Sequence, residues 1–217
     1  MKGLLIKDFK LLKGQKNFFM AITAISIIMI IVSPGTSFPI GFLGFVGALF
    51  SLSSISYDEF DNGNAFLFSL PITRKDYVLE KYIFGLISGI MFLLLGTVIS
   101  LVAIGITKTG SFNEIFITAG SLFPTILLIL SIMLPFILKF GGEKGRVAII
   151  GVMGFIFVIG LLLIKTTEYL GIDLYVLINK LPKFEPLVYI ILFLLLSVVI
   201  LGISYLISLT ILKKKEF

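Results

Sequence analysis

Six long apolar blocks alternate with short polar segments along the chain, and the alternation predicts a bundle of membrane-crossing helices. The blocks run roughly over residues 17–32, 38–56, 82–106, 115–138, 147–164 and 187–212. Each lies near the ~20 residues that a helix needs to cross a hydrocarbon core. Backbone groups find no water there, so such blocks must satisfy their own hydrogen bonds as helices. The first block is short and needs its flanks, and Ser33-Pro34-Gly35-Thr36 reads as a tight external turn into the second. The expected architecture is all-α and polytopic, with six transmembrane helices in a single domain over 1–217.

The segment before the first block follows a different period. On a helical wheel Met1, Leu4, Leu5, Phe9, Leu11 and Leu12 share one side, Lys2, Lys10 and Lys13 lie opposite, and Lys7 is at the flank. This pattern predicts an interfacial amphipathic helix with its lysines toward anionic headgroups. Asp8 falls within the apolar side, where it must pair with a lysine or face protein rather than lipid. The simpler alternative is a basic flank that only sets orientation. No small-residue cleavage site follows the first block, so a removable signal peptide is not expected.

The long polar interruption in the first half is Tyr57–Lys81. It carries Asp58, Glu59, Asp61, Arg74, Lys75, Asp76, Glu80 and Lys81 in 25 residues. Within it Asn62-Gly63-Asn64 signals a turn or helix start, and the apolar run Ala65–Leu70 is ended by Pro71. Phe66, Leu67, Phe68 and Leu70 form an apolar cluster of the kind that marks a docking surface. One reading is a short surface helix offered to a soluble partner. The other is that the hexamer dips into the headgroups or caps the neighbouring spans.

Charge sets the orientation. With the N-terminus inside, segments 1–16, 57–81, 139–146 and 213–217 hold five, three, three and three basic residues, and the external loops hold only Lys108, Lys165, Lys180 and Lys183. Positive charge concentrates on the cytoplasmic side, so both termini and the Tyr57–Lys81 loop are expected there. Composition agrees with a membrane chain: 58% of residues are hydrophobic and 14% charged. The net charge of +6 is explained by block edges, and without Trp or His it gives no nucleic-acid signature.

Smaller features shape the bundle. Pro124 and Pro135 in the fourth block each remove a backbone donor and should kink or break the helix, as a hinge or as a packing device. Gly85 and Gly89 form a small-xxx-small pair in the third block, and Gly41, Gly44, Gly47 and Ser51 line the second. Both allow close helix contact, within one copy or between two. Residues 139–146 are glycine-rich but lack the spacing and the Ser or Thr of a phosphate loop, so a tight turn is expected. The 165–186 segment suggests a short helix leaning into the outer leaflet, and Lys213-Lys214-Lys215 an internal anchor.

Several chemistries are missing. The blocks contain no Asp, Glu, Lys, Arg or His, which argues against an internal proton relay. Without Cys there is no disulfide or thiol chemistry, and without His no metalloprotease motif or histidine-bearing triad. No catalytic, cofactor-binding or metal-ligating residues are expected in this chain.

The loop also carries a resemblance. Glu59-Phe60-Asp61-Asn62-Gly63, followed by Pro71, is similar to the acidic-x-acidic-x-Gly element that precedes the coupling helix of ABC-2-type transporter permeases. Leu70-Pro71-Ile72-Thr73-Arg74 and Lys81 resemble a subgroup of small bacterial members, and Ile6-Lys7-Asp8 resembles the start of the family's amphipathic N-terminal helix. Where many relatives have another carboxylate after the glycine, this chain has Ala65-Phe66-Leu67. The resemblance implies a permease subunit in a bacterial plasma membrane, coupled through Glu59, Asp61, Gly63, Phe66, Leu67, Phe68, Leu70, Pro71 and Arg74 to a separate cytoplasmic ABC ATPase. It implies two ATPase copies holding ATP and Mg²⁺, a second permease copy or related subunit, and an amphipathic cargo such as peptide. A non-transporting membrane anchor that recruits a soluble partner would show the same docking loop.

Overall fold

A computed structural model of the chain describes residues 1–32, 37–60, 63–108, 110–169 and 185–215, without some side chains of residues 143–168. Among the described residues 93% are helical and no strand is present, as the apolar periodicity requires. The helices are α1 Lys2–Gly14, α2 Lys16–Val32, α3 Ser37–Glu59, α4 Gly63–Ser69, α5 Arg74–Thr107, α6 Phe112–Phe140, α7 Gly142–Tyr169 and α8 Pro186–Lys214. By length and composition α3, α5, α6 and α8 can each cross a membrane, and α1 and α2 pass together as a pair bent by 61°. α7 stands in the place of the fifth apolar block. The Ser33–Thr36 turn and the expected helix within 165–186 lie largely outside the described residues.

α3 and α5 both extend past their apolar blocks into the loop between them. α3 continues to Glu59, and α5 begins at Arg74, about two turns before the block at 82. The early start of α5 has a local cause: Thr73 is the N-cap, its hydroxyl oxygen accepting the Asp76 amide at 3.1 Å while its hydroxyl donates to the Asp76 carboxylate at 2.6 Å. Pro71, just upstream, cannot prolong α4 and leaves room for that cap.

The centre of the bundle is the α3–α5 pair with α6 packed on it. The glycines named from sequence work inside one chain: a Cβ at Gly47 would sit 2.7 Å from Phe92 Cβ, and one at Gly89 2.9 Å from Ile126. Gly85 likewise faces Leu130 and Ser51. These contacts bring backbones close enough for dispersion to hold helices that lipid would solvate equally well. α2 buries a single stripe, Phe19, Ile22, Ser26 and Ile30, with Phe19 stacked on Phe92 at 4.5 Å. α8 buries Ser197, Ser204, Ser208 and Leu212, so its small polar edge turns inward and its apolar surface outward.

The prolines of α6 do not break it; the helix runs unbroken from Phe112 to Phe140. Pro135 removes the amide that would serve the Ser131 carbonyl, and the Ser204 hydroxyl of α8 donates to that carbonyl at 2.5 Å instead. Ser204 also meets Tyr82 Oη at 2.6 Å, which meets Ser208 at 2.8 Å, joining α5, α6 and α8.

Candidate functional site

The polar ends of the helices gather into one region around α4. Gln15 donates to Tyr57 Oη at 2.9 Å, so the α1–α2 corner sits beside the end of α3. α1 lies across this region as its amphipathic pattern predicts. Leu4 and Asp8 are buried, Leu5, Phe9, Leu11 and Leu12 pack on the core, and Lys2, Lys10 and Lys13 are exposed. Phe9 meets Phe84 edge-on at 5.3 Å.

Asp8 is buried within a polar cluster drawn from three helices, α1, α3 and α5. Lys81 Nζ lies 2.6 Å from Asp8 Oδ2 and 2.7 Å from Asp58 Oδ2, and it donates to Ser54 Oγ at 3.0 Å. Lys7 Nζ bonds Asp58 Oδ1 and lies 3.2 Å from Asp8 Oδ1. Tyr77 donates to Asp58 Oδ2 at 3.1 Å, and Glu80, fully buried, comes to 3.5 Å from Lys81 Nζ. Burial alone would raise the Asp8 carboxyl, but the ammonium groups of Lys81 and Lys7 outweigh it and hold the group below its ordinary range. The cluster pins the interfacial helix to α3 and α5, the two helices that flank the loop. Its carboxylates meet lysines, and among the described residues no acidic group is arranged to hold a metal ion.

α4 presents two faces. Leu67 is 8% exposed and Phe68 turns inward, its ring 5.5 Å from that of Tyr77. Phe66 is 71% exposed, and with Ala65, Ser69 and Leu70 it makes an uncharged outer face. A groove of about 440 Å³ runs between α1 and α4, bounded by Leu4, Lys7, Asp58, Phe66 and Leu70. The hexamer read as one cluster from the sequence is therefore divided: Leu67 and Phe68 hold the helix down, and Phe66 and Leu70 face out. Pro71 is exposed beyond them. Asp61 lies outside the described residues.

Both bases of the loop are tied. Glu59 Oε2 accepts the Gly142 amide at 2.6 Å, at the first residue of α7, and Oε1 receives Lys215 Nζ at 3.1 Å. Arg74, at the other base, donates to the carbonyls of Leu212 and Lys213 at 2.5 and 2.8 Å. The turn between α6 and α7 is tight, with Gly141 at φ +84°, where a side chain would be strained.

Residues 3–213, nearly the whole chain, match the family described as "ABC-2 family transporter protein". The chain belongs to the ABC-2 transporter family. No curated protein and no solved structure matches it. The chain is thus a membrane-spanning permease subunit of an ABC transporter, a multi-pass membrane component rather than a catalytic one. Membership implies an ABC ATPase as partner in general.

The permease's ion cluster was only partly visible in its sequence. Asp8 stood out as misplaced on an apolar face, but Asp58, Glu80 and Lys81 gave no sign of converging on it. Within the drawn limits the spans carry no charge, yet the extensions of α3 and α5 carry these three into the protein interior. Glu59 and Arg74, read as coupling residues, are both engaged in ties to other segments of the chain.

Proposed function

We propose that this permease is the membrane half of an ATP-driven exporter in a bacterial plasma membrane, with both termini and α4 in the cytoplasm. In this reading a separate ABC ATPase, two copies per transporter, binds ATP and Mg²⁺ and grips the outer face of α4. A second permease copy or a related subunit completes the pathway, because one small bundle encloses little volume. The cargo is amphipathic, with peptide the leading class, since the spans offer apolar surface and no fixed charge.

The observation that carries the reading is Phe66, a large aromatic left 71% exposed on a short helix whose opposite face and both bases are held. Exposed aromatics on rigid supports are what anchor interfaces. With no ionisable group inside the apolar blocks, the work of transport arrives mechanically, as packed elements shift as bodies.

The test is transport into inverted vesicles holding the permease and its ATPase. A labelled amphipathic peptide should accumulate with ATP and stay out with a non-hydrolysable analogue, while ionophores that collapse proton and sodium gradients leave uptake intact. Uptake that persists without ATP and dies with an ionophore would overturn the mechanism. ATP turnover indifferent to every peptide tried, with the ATPase bound, would favour the anchor reading.

A further inference from the structure

We propose that the last turn of α8 and the residue after it, Leu212–Lys215, form a strap that positions the coupling helix and links it to the α6–α7 turn. The inference rests on the permease reading above, since it assigns a role in transmitting motion through α4. A run of three lysines at the end of a span ordinarily needs no more than an electrostatic explanation, as a positive anchor on headgroups. The geometry here is more particular than that.

The strap touches both bases of the loop. At the C-terminal base, one nitrogen of the Arg74 guanidinium donates to the Leu212 and Lys213 carbonyls at 2.5 and 2.8 Å. These are carbonyls of the last turn of α8, at the negative end of the helix dipole, and the Leu212 carbonyl also accepts the Lys215 cap amide at 3.3 Å. At the N-terminal base, Lys215 Nζ donates to Glu59 Oε1 at 3.1 Å and to the Leu138 carbonyl, in the last turn of α6, at 3.2 Å. The other oxygen of Glu59 holds the first amide of α7, at Gly142, at 2.6 Å. Glu59 and Lys215 are about one-fifth and one-quarter exposed, so these charge-assisted bonds are partly shielded from water. Gly142 is required for the closeness: a Cβ there would overlap Ser56.

The consequence is mechanical. Covalently, α4 is joined only to α3 and α5. Through Glu59, Arg74 and Lys215 its bases are also joined to the ends of α6, α7 and α8. A push on Phe66 is then delivered to both halves of the bundle rather than to its first half alone.

The three lysines distinguish a strap from an anchor. Lys213 and Lys214 are exposed, and only the Lys215 side chain reaches into the loop. An anchor depends on summed charge, so Lys214→Met and Lys215→Met should act alike. Of the three lysine side chains, a strap depends on Lys215 only.

The chain has no cysteine, so nitroxide labels can be placed at will. With labels at Ala65→Cys on α4 and Lys144→Cys in the first turn of α7, the full chain in nanodiscs should give one narrow distance by double electron–electron resonance. Lys215→Met should broaden or shift that distance, Lys214→Met should leave it unchanged, and Lys215→Arg should restore it. A control pair at Met20→Cys and Val98→Cys, away from the strap, should not move in any variant. Equal effects of Lys214→Met and Lys215→Met, or no effect of either, would overturn the strap and leave the permease reading standing. With the ATPase present, Lys215→Met should lower cargo moved per ATP hydrolysed, and Lys214→Met should not. Undiminished transport per ATP in a variant whose label distance has broadened would likewise overturn the proposed role.

Discussion

Ser204 on α8 donates its hydroxyl at 2.5 Å to the Ser131 carbonyl, the group on α6 that Pro135 leaves without its helical amide. The proline and the serine are two halves of one interaction. The proline frees an acceptor, and a neighbouring helix uses it. This explains how α6 tolerates Pro135 within a long helix, and why α8, otherwise apolar, turns serines inward.

The pairing predicts a rescue. Ser204→Ala leaves a buried carbonyl unsatisfied and should cost about 1–3 kcal/mol. Pro135→Ala restores the amide, so Ser204→Ala should cost less in that background, where only its bond to Tyr82 Oη is lost. Thermal unfolding of the four variants in detergent, read as a double-mutant cycle, checks it. Equal penalties for Ser204→Ala in both backgrounds would show that Pro135 and Ser204 act separately.

The buried cluster predicts an asymmetry. Lys81→Met leaves Asp8 and Asp58 to share the one remaining cation, Lys7, and breaking such a buried pair costs about 3–5 kcal/mol. Asp8→Leu combined with Lys81→Met removes one of these carboxylates and leaves Asp58 with Lys7. The double variant should therefore unfold at a higher temperature than Lys81→Met alone. Thermostability followed by fluorescence-detected gel filtration gives the comparison.

The two faces of α4 predict different losses. Phe66→Asp should leave the unfolding temperature unchanged and release the ATPase from the membrane, since a buried interface aromatic contributes about 2 kcal/mol or more. Phe68→Asp puts a carboxylate against Tyr77 and should lower the unfolding temperature of the permease by itself. Co-purification and unfolding of each variant separate the outcomes. Partner retention in Phe66→Asp would place the docking surface elsewhere.

Orientation is tested by labelling. On the proposed topology Lys144→Cys reacts with an impermeant thiol reagent only after the membrane is opened. Lys165→Cys, near the far end of α7, reacts in intact cells. The reverse pattern would invert the protein.

What the sequence made legible follows from physical range. Block length and hydropathy are properties of consecutive residues, so the helices and their order could be read directly. The α1 amphipathic face was equally local, and Asp8 announced itself by violating it. The partners of Asp8 and Lys7 lie 73 and 51 residues away, and nothing in local periodicity connects them. The same applies to Glu59, whose acidic-x-acidic context pointed outward to a partner while its oxygens serve Gly142 and Lys215. The division of Phe66 from Phe68 required the angle at which α4 sits, which is set by Leu67 and Tyr77 rather than by composition. The start of α5 was missed because capping by Thr73 extends the helix through polar residues that hydropathy assigns to a loop.

The meeting of Asp8 with Lys81 has a consequence for how the chain is threaded into the bilayer. Two residues can touch at one end of a bundle only if the chain between them crosses an even number of times. In the proposed topology the crossings are α2 and α3. A nascent chain that skipped either would leave the carboxylate and the ammonium on opposite sides of the membrane. Each would be stripped of its counter-charge, at several kcal/mol per ion wherever it remained buried. On that topology the cluster acts as a parity check on biogenesis: correctly counted crossings bring Lys81 to Asp8, and a miscounted chain leaves both without the other. Chains carrying both Asp8→Leu and Lys81→Met should lose that penalty, so that misthreaded forms persist in a pulse-chase where those of the parent disappear.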